Sequence, residues 1–187
     1  RYCAVIATTC VDGTEMILVG VQKRSARKFL TDFGGYPAED AVPPRAAISL
    51  FVQGTLGLLG NDKSLLKQVK VPQRFRVPGL GYVWRMQVPP ALGQVIQEQF
   101  ATVSSFLQKY HNIESQFCQV QFMAYRDLLL GPAAKRASPS LLNIARHTTL
   151  IDPHAAASCQ PGEPPCDDED EALEAQSSPQ CDEDDHQ

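Results

Sequence analysis

Lys23, Arg24, Arg27 and Lys28 form the densest cationic cluster in the chain, and Gly34 and Gly35 follow closely. Guanidinium and ammonium groups make charge-assisted hydrogen bonds to phosphate oxygens. The cluster and the adjacent Gly34-Gly35 loop form the candidate phosphate-binding site. A solvated hairpin turn accounts for the same four cations. Lys63, Lys67, Lys70, Arg74 and Arg76 make a second basic stretch. It reads either as the positive stripe of a nucleic-acid surface or as a solvated helix face. Covalent chemistry is harder to place. His111, His147, His154 and His186 lack zinc spacing, and the six cysteines contain no C-x-x-C pair. Neither a Gly-x-Ser-x-Gly elbow nor a P-loop is present. His147 could accept a proton, although a helix C-terminus favours a histidine there for its charge alone.

The elements that must position these residues follow from periodicity and punctuation. Residues 2–10 are apolar and β-branched and predict a strand, closed by the turn Val11-Asp12-Gly13-Thr14. Residues 16–21 predict its hairpin partner, 23–28 a polar turn, and 29–31 a short third strand. Pro43-Pro44 predicts a helix start, with the helix running to about Leu56 and stopping near Gly57 or Gly60. From Ala41 to Gly60 the single charge is Arg45, so this helix is expected in the core or against a partner. Asn61-Asp62 can cap a helix that turns Leu65, Leu66 and Val69 one way and Lys63, Lys67 and Lys70 the other. Residues 74–77 and 81–88 predict strands. Pro89-Pro90 opens a long helix whose Phe100, Phe106 and Tyr110 are expected in the core. Residues 117–125 predict a last strand, and Ser138 a cap for a final helix through Arg146.

Within that order, Leu18-Val19-Gly20, Phe29-Leu30-Thr31-Asp32-Phe33-Gly34-Gly35 and Gly54-Thr55-Leu56-Gly57-Leu58-Leu59 together resemble the signature region of a Nudix hydrolase. The family motif has a glycine, a glutamate six positions on, and an Arg-Glu-hydrophobic-x-Glu-Glu run on a helix. With Gly35 as the motif glycine and Leu56 as a one-residue insertion, those places hold Ala41, Ser49, Leu50, Phe51, Gln53 and Gly54. Without the insertion the glutamate positions fall on Val42, Phe51, Gly54 and Thr55. Neither register contains a carboxylate. The resemblance is specific from about Leu18 to Leu59 and is a compatible order of elements from there to about Thr149.

The resemblance implies an α/β/α sandwich on a mixed sheet and Mg²⁺- or Mn²⁺-dependent cleavage of nucleoside diphosphate-linked substrates or capped RNA. Leu50, Gln53 and Gly54, at i, i+3 and i+4, would share the face toward the metal. They offer one neutral amide oxygen to a cation that favours carboxylates. Glu39 and Asp40 precede the helix, where the helix dipole accounts for them. Glutamates restored at positions 50, 53 and 54 are expected to create metal affinity if that face is exposed. The expected function is therefore a non-catalytic module for a phosphate-rich ligand, RNA or a protein partner, with no cofactor. The alternatives are an active hydrolase using Mg²⁺ or Mn²⁺ and a structural assembly component.

The overall charge of −4 conceals a division. From Asp152 to Gln187 there are twelve acids and no Lys or Arg, leaving nine acids against all 17 basic residues before it, a formal +8. With no aromatic and much Pro, Ser and Gln, that acidic segment is expected to be disordered. The expected organisation is a domain over 1–151 and a tail over 152–187. No run approaches the ~18 apolar residues of a membrane span. No signal peptide is evident, and an intracellular, cytoplasmic location is expected.

Overall fold

Strand β1 (Tyr2–Val11) is buried over nearly its whole length. Alternate residues feed two cores: Cys3, Val5 and Ala7 pack on one side, and Tyr2, Ala4 and Ile6 on the other. A strand covered on both faces reads as a continuous apolar run rather than as an alternation. The computed structural model describes residues 1–24, 27–69 and 74–151, so the expected acidic tail lies outside the described residues.

β1 turns through Asp12 and Gly13, both at positive φ (50° and 74°), into β2 (Thr14–Arg24). Two such residues suit the tight hairpin turn whose twist matches the strands. β2 is the hub of the sheet. It pairs antiparallel with β1 at Thr8↔Ile17, with β3 (Arg27–Thr31) at Val21↔Leu30, and with β6 (Gln119–Ala124) at Leu18↔Phe122. β5 (Gly81–Gln87) runs parallel to β1, and β4 (Arg74–Val77) closes that edge antiparallel to β5. The order β3-β2-β1-β5-β4, with β6 on β2, makes a six-stranded mixed sheet.

Helices α1 (Pro43–Thr55), α2 (Asp62–Gln68) and α3 (Pro90–His111) cover one face. Helix α4 (Tyr125–Leu130), a 3₁₀ turn (Pro132–Arg136) and α5 (Pro139–Ile151) cover the other. The chain thus forms the expected α/β/α sandwich on a mixed sheet. Prolines open α1 and α3, and the Asn61 side chain caps α2 by accepting from Ser64 N at 3.0 Å.

Three expectations change. Residues 23–28 do not form a free polar turn: Lys23 pairs with Lys28 and Arg24 with Arg27 in the β2–β3 ladder. The final helix continues past Arg146 to Ile151. In α3, Phe100 is fully buried but Phe106 and Tyr110 are 52% and 62% exposed. A helix of 22 residues is about 33 Å long, whereas β6, with six residues, spans about 20 Å. The second half of α3 therefore extends past β6, the strand it chiefly packs on, and Phe106 lies tilted against Tyr110 with ring centroids 4.9 Å apart instead of entering the core.

Candidate functional site

The helix that the resemblance would equip with glutamates faces inward. Phe51, Gly54 and Thr55 are buried, Ser49 and Leu50 are half-buried, and Gln53 is exposed. Phe33 stacks edge-on against Phe51 and Phe117, with ring centroids 5.4 and 5.1 Å apart. Gly54 lies against that cluster: a Cβ there would sit 2.5 Å from Phe33 and 3.0 Å from Phe117. Thr55 turns its hydroxyl back to the Phe51 carbonyl at 2.8 Å. A carboxylate at position 54 has no room, so the condition of an exposed face is not met there, whereas Gln53 is exposed and Leu50 half-buried. Ala41 is half-buried, and Val42, Glu39 and Asp40 are exposed in the loop before the helix. Among the described residues no group of three or more His, Cys, Asp or Glu is placed to hold a metal ion. The side chains at the motif positions do not fit Mg²⁺ or Mn²⁺.

The Gly34-Gly35 turn serves the fold. Gly34 N donates to Asp32 Oδ1 at 2.8 Å, and Gly35 exchanges both backbone hydrogen bonds with Cys3. Both glycine amides are thereby satisfied within the protein. A Cβ on Gly34 would meet the Tyr2 hydroxyl and Ala4. Asp32 is 4% exposed and accepts also from the Tyr2 hydroxyl and, at 2.6 Å, from Ser140 Oγ. Burial, followed by the neighbouring Asp32 charge, pushes the Tyr2 phenol well above its usual range. Ser138 caps α5, accepting from Leu141 N at 3.2 Å. Asp32 thus ties β1, the glycine turn and the start of α5 into one brace. The Asp-x-Gly spacing is a local signal for the first of these bonds; nothing in the sequence pointed to the other two.

The cations divide between opposite edges of the sheet. Arg27 and Lys28 are exposed on β3, in a register that sets like charges opposite each other. Ala137 bridges to Leu30, which brings exposed Lys135 and Arg136 alongside the same edge. Those two were missed because only the tertiary fold sets the 3₁₀ turn beside β3. At the other edge, Arg74 and Arg76 are exposed on β4, opposite Trp84 and Tyr82. Trp84 and Tyr82 belong to the core on the α2 side of the sheet, so the two arginines emerge on the face that carries exposed Lys63 and Lys67. The Arg74 guanidinium lies 5.0 Å over the Tyr82 ring. Lys70 lies outside the described residues, as do the side chains of Lys23 and Arg24.

Other polar features are internal. Arg85 pairs with buried Glu15 and reaches Thr8 Oγ1 at 3.4 Å across β1. His147 stacks on Phe75, centroids 5.9 Å apart. A cleft of about 440 Å³ at the C-terminal end of β5 is lined by Leu59, Met86, Val88 and Leu92 with Gln68 and Gln87. It carries no cation and no aromatic, a poor match to phosphate or a stacked base.

No family model matches the chain, and no curated protein matches it. Solved structures with some likeness include a mutT/nudix family protein from Listeria innocua, at 13% identity and TM-score 0.47, covering 80% of this chain and 91% of that one. A Nudix hydrolase from M. smegmatis, RenU, matches at 7% identity and TM-score 0.39, covering 83% and 88%. A T. brucei MERS1–RNA complex matches at 11% identity and TM-score 0.36, covering 78% and 62%. Likenesses this weak say nothing of function, so the chain's own residues must decide what it can do.

Proposed function

We propose that this chain is a non-catalytic, Nudix-like module that binds the phosphate backbone of RNA, chiefly through Lys63, Lys67, Arg74 and Arg76. The supporting observation is an exchange of roles between two parts of the sandwich. The helix that would carry catalytic glutamates packs Phe51 and Gly54 into the core, while the sheet edges present exposed cations. Arginine on an aromatic ring, beside further cations, suits a single strand. The guanidinium of Arg74, held over the Tyr82 ring, meets phosphate. Arg27 and Lys28 at the β3 edge are a second, weaker contact. Their like-charge register costs stability that a bound anion would relieve.

Four cations neutralising phosphates on a single strand predict a slope of log affinity against log salt of about −3. The test is titration of the full chain with a single-stranded RNA oligonucleotide at rising KCl. A panel of dinucleotides and capped RNA with Mg²⁺ or Mn²⁺ is assayed for turnover alongside. Salt-sensitive binding without turnover is expected. Absence of binding at low salt, or metal-dependent turnover of order 1 s⁻¹, overturns the proposal.

One observation favours a different role, that of an assembly component: Phe106, Tyr110 and Ile113 are exposed on and just beyond the overhanging half of α3. Sedimentation of the chain and of a Phe106→Ser, Tyr110→Ser variant tests it; identical behaviour would remove that support.

A further inference from the structure

We infer that the acidic segment 152–187 docks on the α2–β4 basic surface of its own chain and competes there with RNA. The inference starts from the path of α5. Its first turn lies at the β3 edge, where Ser138 N donates to Leu30 O at 2.8 Å. Its later part lies at the β4 edge, where His147 stacks on Phe75. β3 and β4 are the opposite ends of the strand order, so α5 crosses the whole sheet and delivers the chain at the edge strand that carries Arg74 and Arg76, from the face opposite their side chains. Ile151, the last residue of α5, lies one turn beyond His147, about 6 Å of helix rise. Asp152 comes next and is the first of twelve acids in a segment with no Lys or Arg.

The receiving surface is as one-sided as the segment. From Lys63 to Gln97 the chain contains no acid at all. Asp62, at the start of α2, directly precedes that stretch, where the helix dipole favours it, and Glu98 of α3 directly follows it. An extended segment of this length could span up to ~120 Å, so reach alone does not exclude the β3 edge. Attachment at the β4 edge decides between them, because effective concentration falls as the span grows. Exposed opposite charges attract through solvent only within about a Debye length, so the contact should be strong at low salt and fade as salt rises.

The competition, though not the docking, rests on the RNA-binding proposal. Docking is tested on the intact chain with a zero-length carbodiimide cross-linker, which joins carboxylates to amines, followed by peptide mapping at low salt. Links from 152–187 to Lys63 and Lys67 are expected. Links only to Lys28 and Lys135, or none, overturn the inference. Competition is tested with a full-length variant whose nine acids at 167–171 and 182–185 are changed to Asn or Gln. Its affinity for the RNA oligonucleotide should rise on the order of tenfold at low salt, with the gain lost when Arg74→Glu and Arg76→Glu are added. Equal affinity of the variant and the unaltered chain defeats the competition. If neither binds RNA, the RNA proposal fails, and the cross-link map still decides the docking.

Discussion

Gly54 of α1 and Phe33, just after β3, are in contact so close that a Cβ on the glycine would stand 2.5 Å from the phenyl ring. The ring cannot retreat, because Phe51 and Phe117 hold it edge-on from two sides. Gly54→Ala should therefore destabilise the protein by about 1–2 kcal/mol, overpacking outweighing the gain in helix propensity. Gly54→Glu buries a carboxylate and should cost more than ~4 kcal/mol or prevent folding. Gln53→Glu, one residue earlier but exposed, should stay within ~0.5 kcal/mol. Urea unfolding measures all three. A stable Gly54→Glu variant that binds Mg²⁺ in calorimetry would reverse the assignment of this helix to the core.

Glutamates are absent from both motif registers, and the helix face is packed. Purified protein should accordingly show no Mg²⁺- or Mn²⁺-dependent pyrophosphohydrolase activity above background. Release of phosphate or nucleotide from the substrate panel is the measurement. A rate of order 1 s⁻¹ that survives repurification would mean that carboxylates from elsewhere in the chain supply the site.

The Tyr2–Asp32 hydrogen bond makes stability depend on alkaline pH. Burial and the Asp32 charge raise the Tyr2 phenol, so the folded protein keeps that proton after the unfolded chain has lost it. The contribution is complete below the ordinary phenol value of about 10. Above it, stability should fall by about 1.4 kcal/mol per pH unit from this group. Tyr2→Phe should cost about 1–3 kcal/mol at neutral pH, and the gap to the unaltered protein should narrow above pH ~10. Stability curves that stay parallel through that range would show that the phenol is not held as described.

Along α3, the two halves should respond differently to truncation. Phe100 has no exposed surface and Phe106 is about half exposed. Phe100→Ala should cost about 3–5 kcal/mol, and Phe106→Ala under ~1 kcal/mol. Thermal or urea unfolding distinguishes them. Equal costs would imply that something covers Phe106 in solution.

Reversal of charge should matter more at β4 than at β3. Arg74→Glu with Arg76→Glu should weaken RNA binding on the order of tenfold or more at low salt, and Arg27→Glu with Lys28→Glu by less. The reverse order would move the principal phosphate contact to the hairpin edge.

Local signals in the sequence determined most of the elements. Pro43-Pro44, Asn61 and Pro89-Pro90 mark helix starts, because a cap or a first-turn proline acts within one turn of backbone. The apolar and β-branched run of residues 2–10 marked β1 as a strand, whereas only the packed layers cover both its faces. The lack of carboxylates at the motif positions was also plain in the sequence. What the sequence could not hold was which distant residues meet. Asp32 is joined to Tyr2 thirty positions away and to Ser140 at a separation of 108. Phe33 and Phe117 close on Gly54, which turns an apparently vacant motif face into core. Lys135 and Arg136 come beside β3 only because the chain returns there after β6. Phe106 and Tyr110 keep a core-like spacing yet lie outside, because helix periodicity says nothing of how far the sheet beneath extends. Propensity and capping act over a few residues, whereas burial and the pairing of charges belong to surfaces that exist only once the layers have packed.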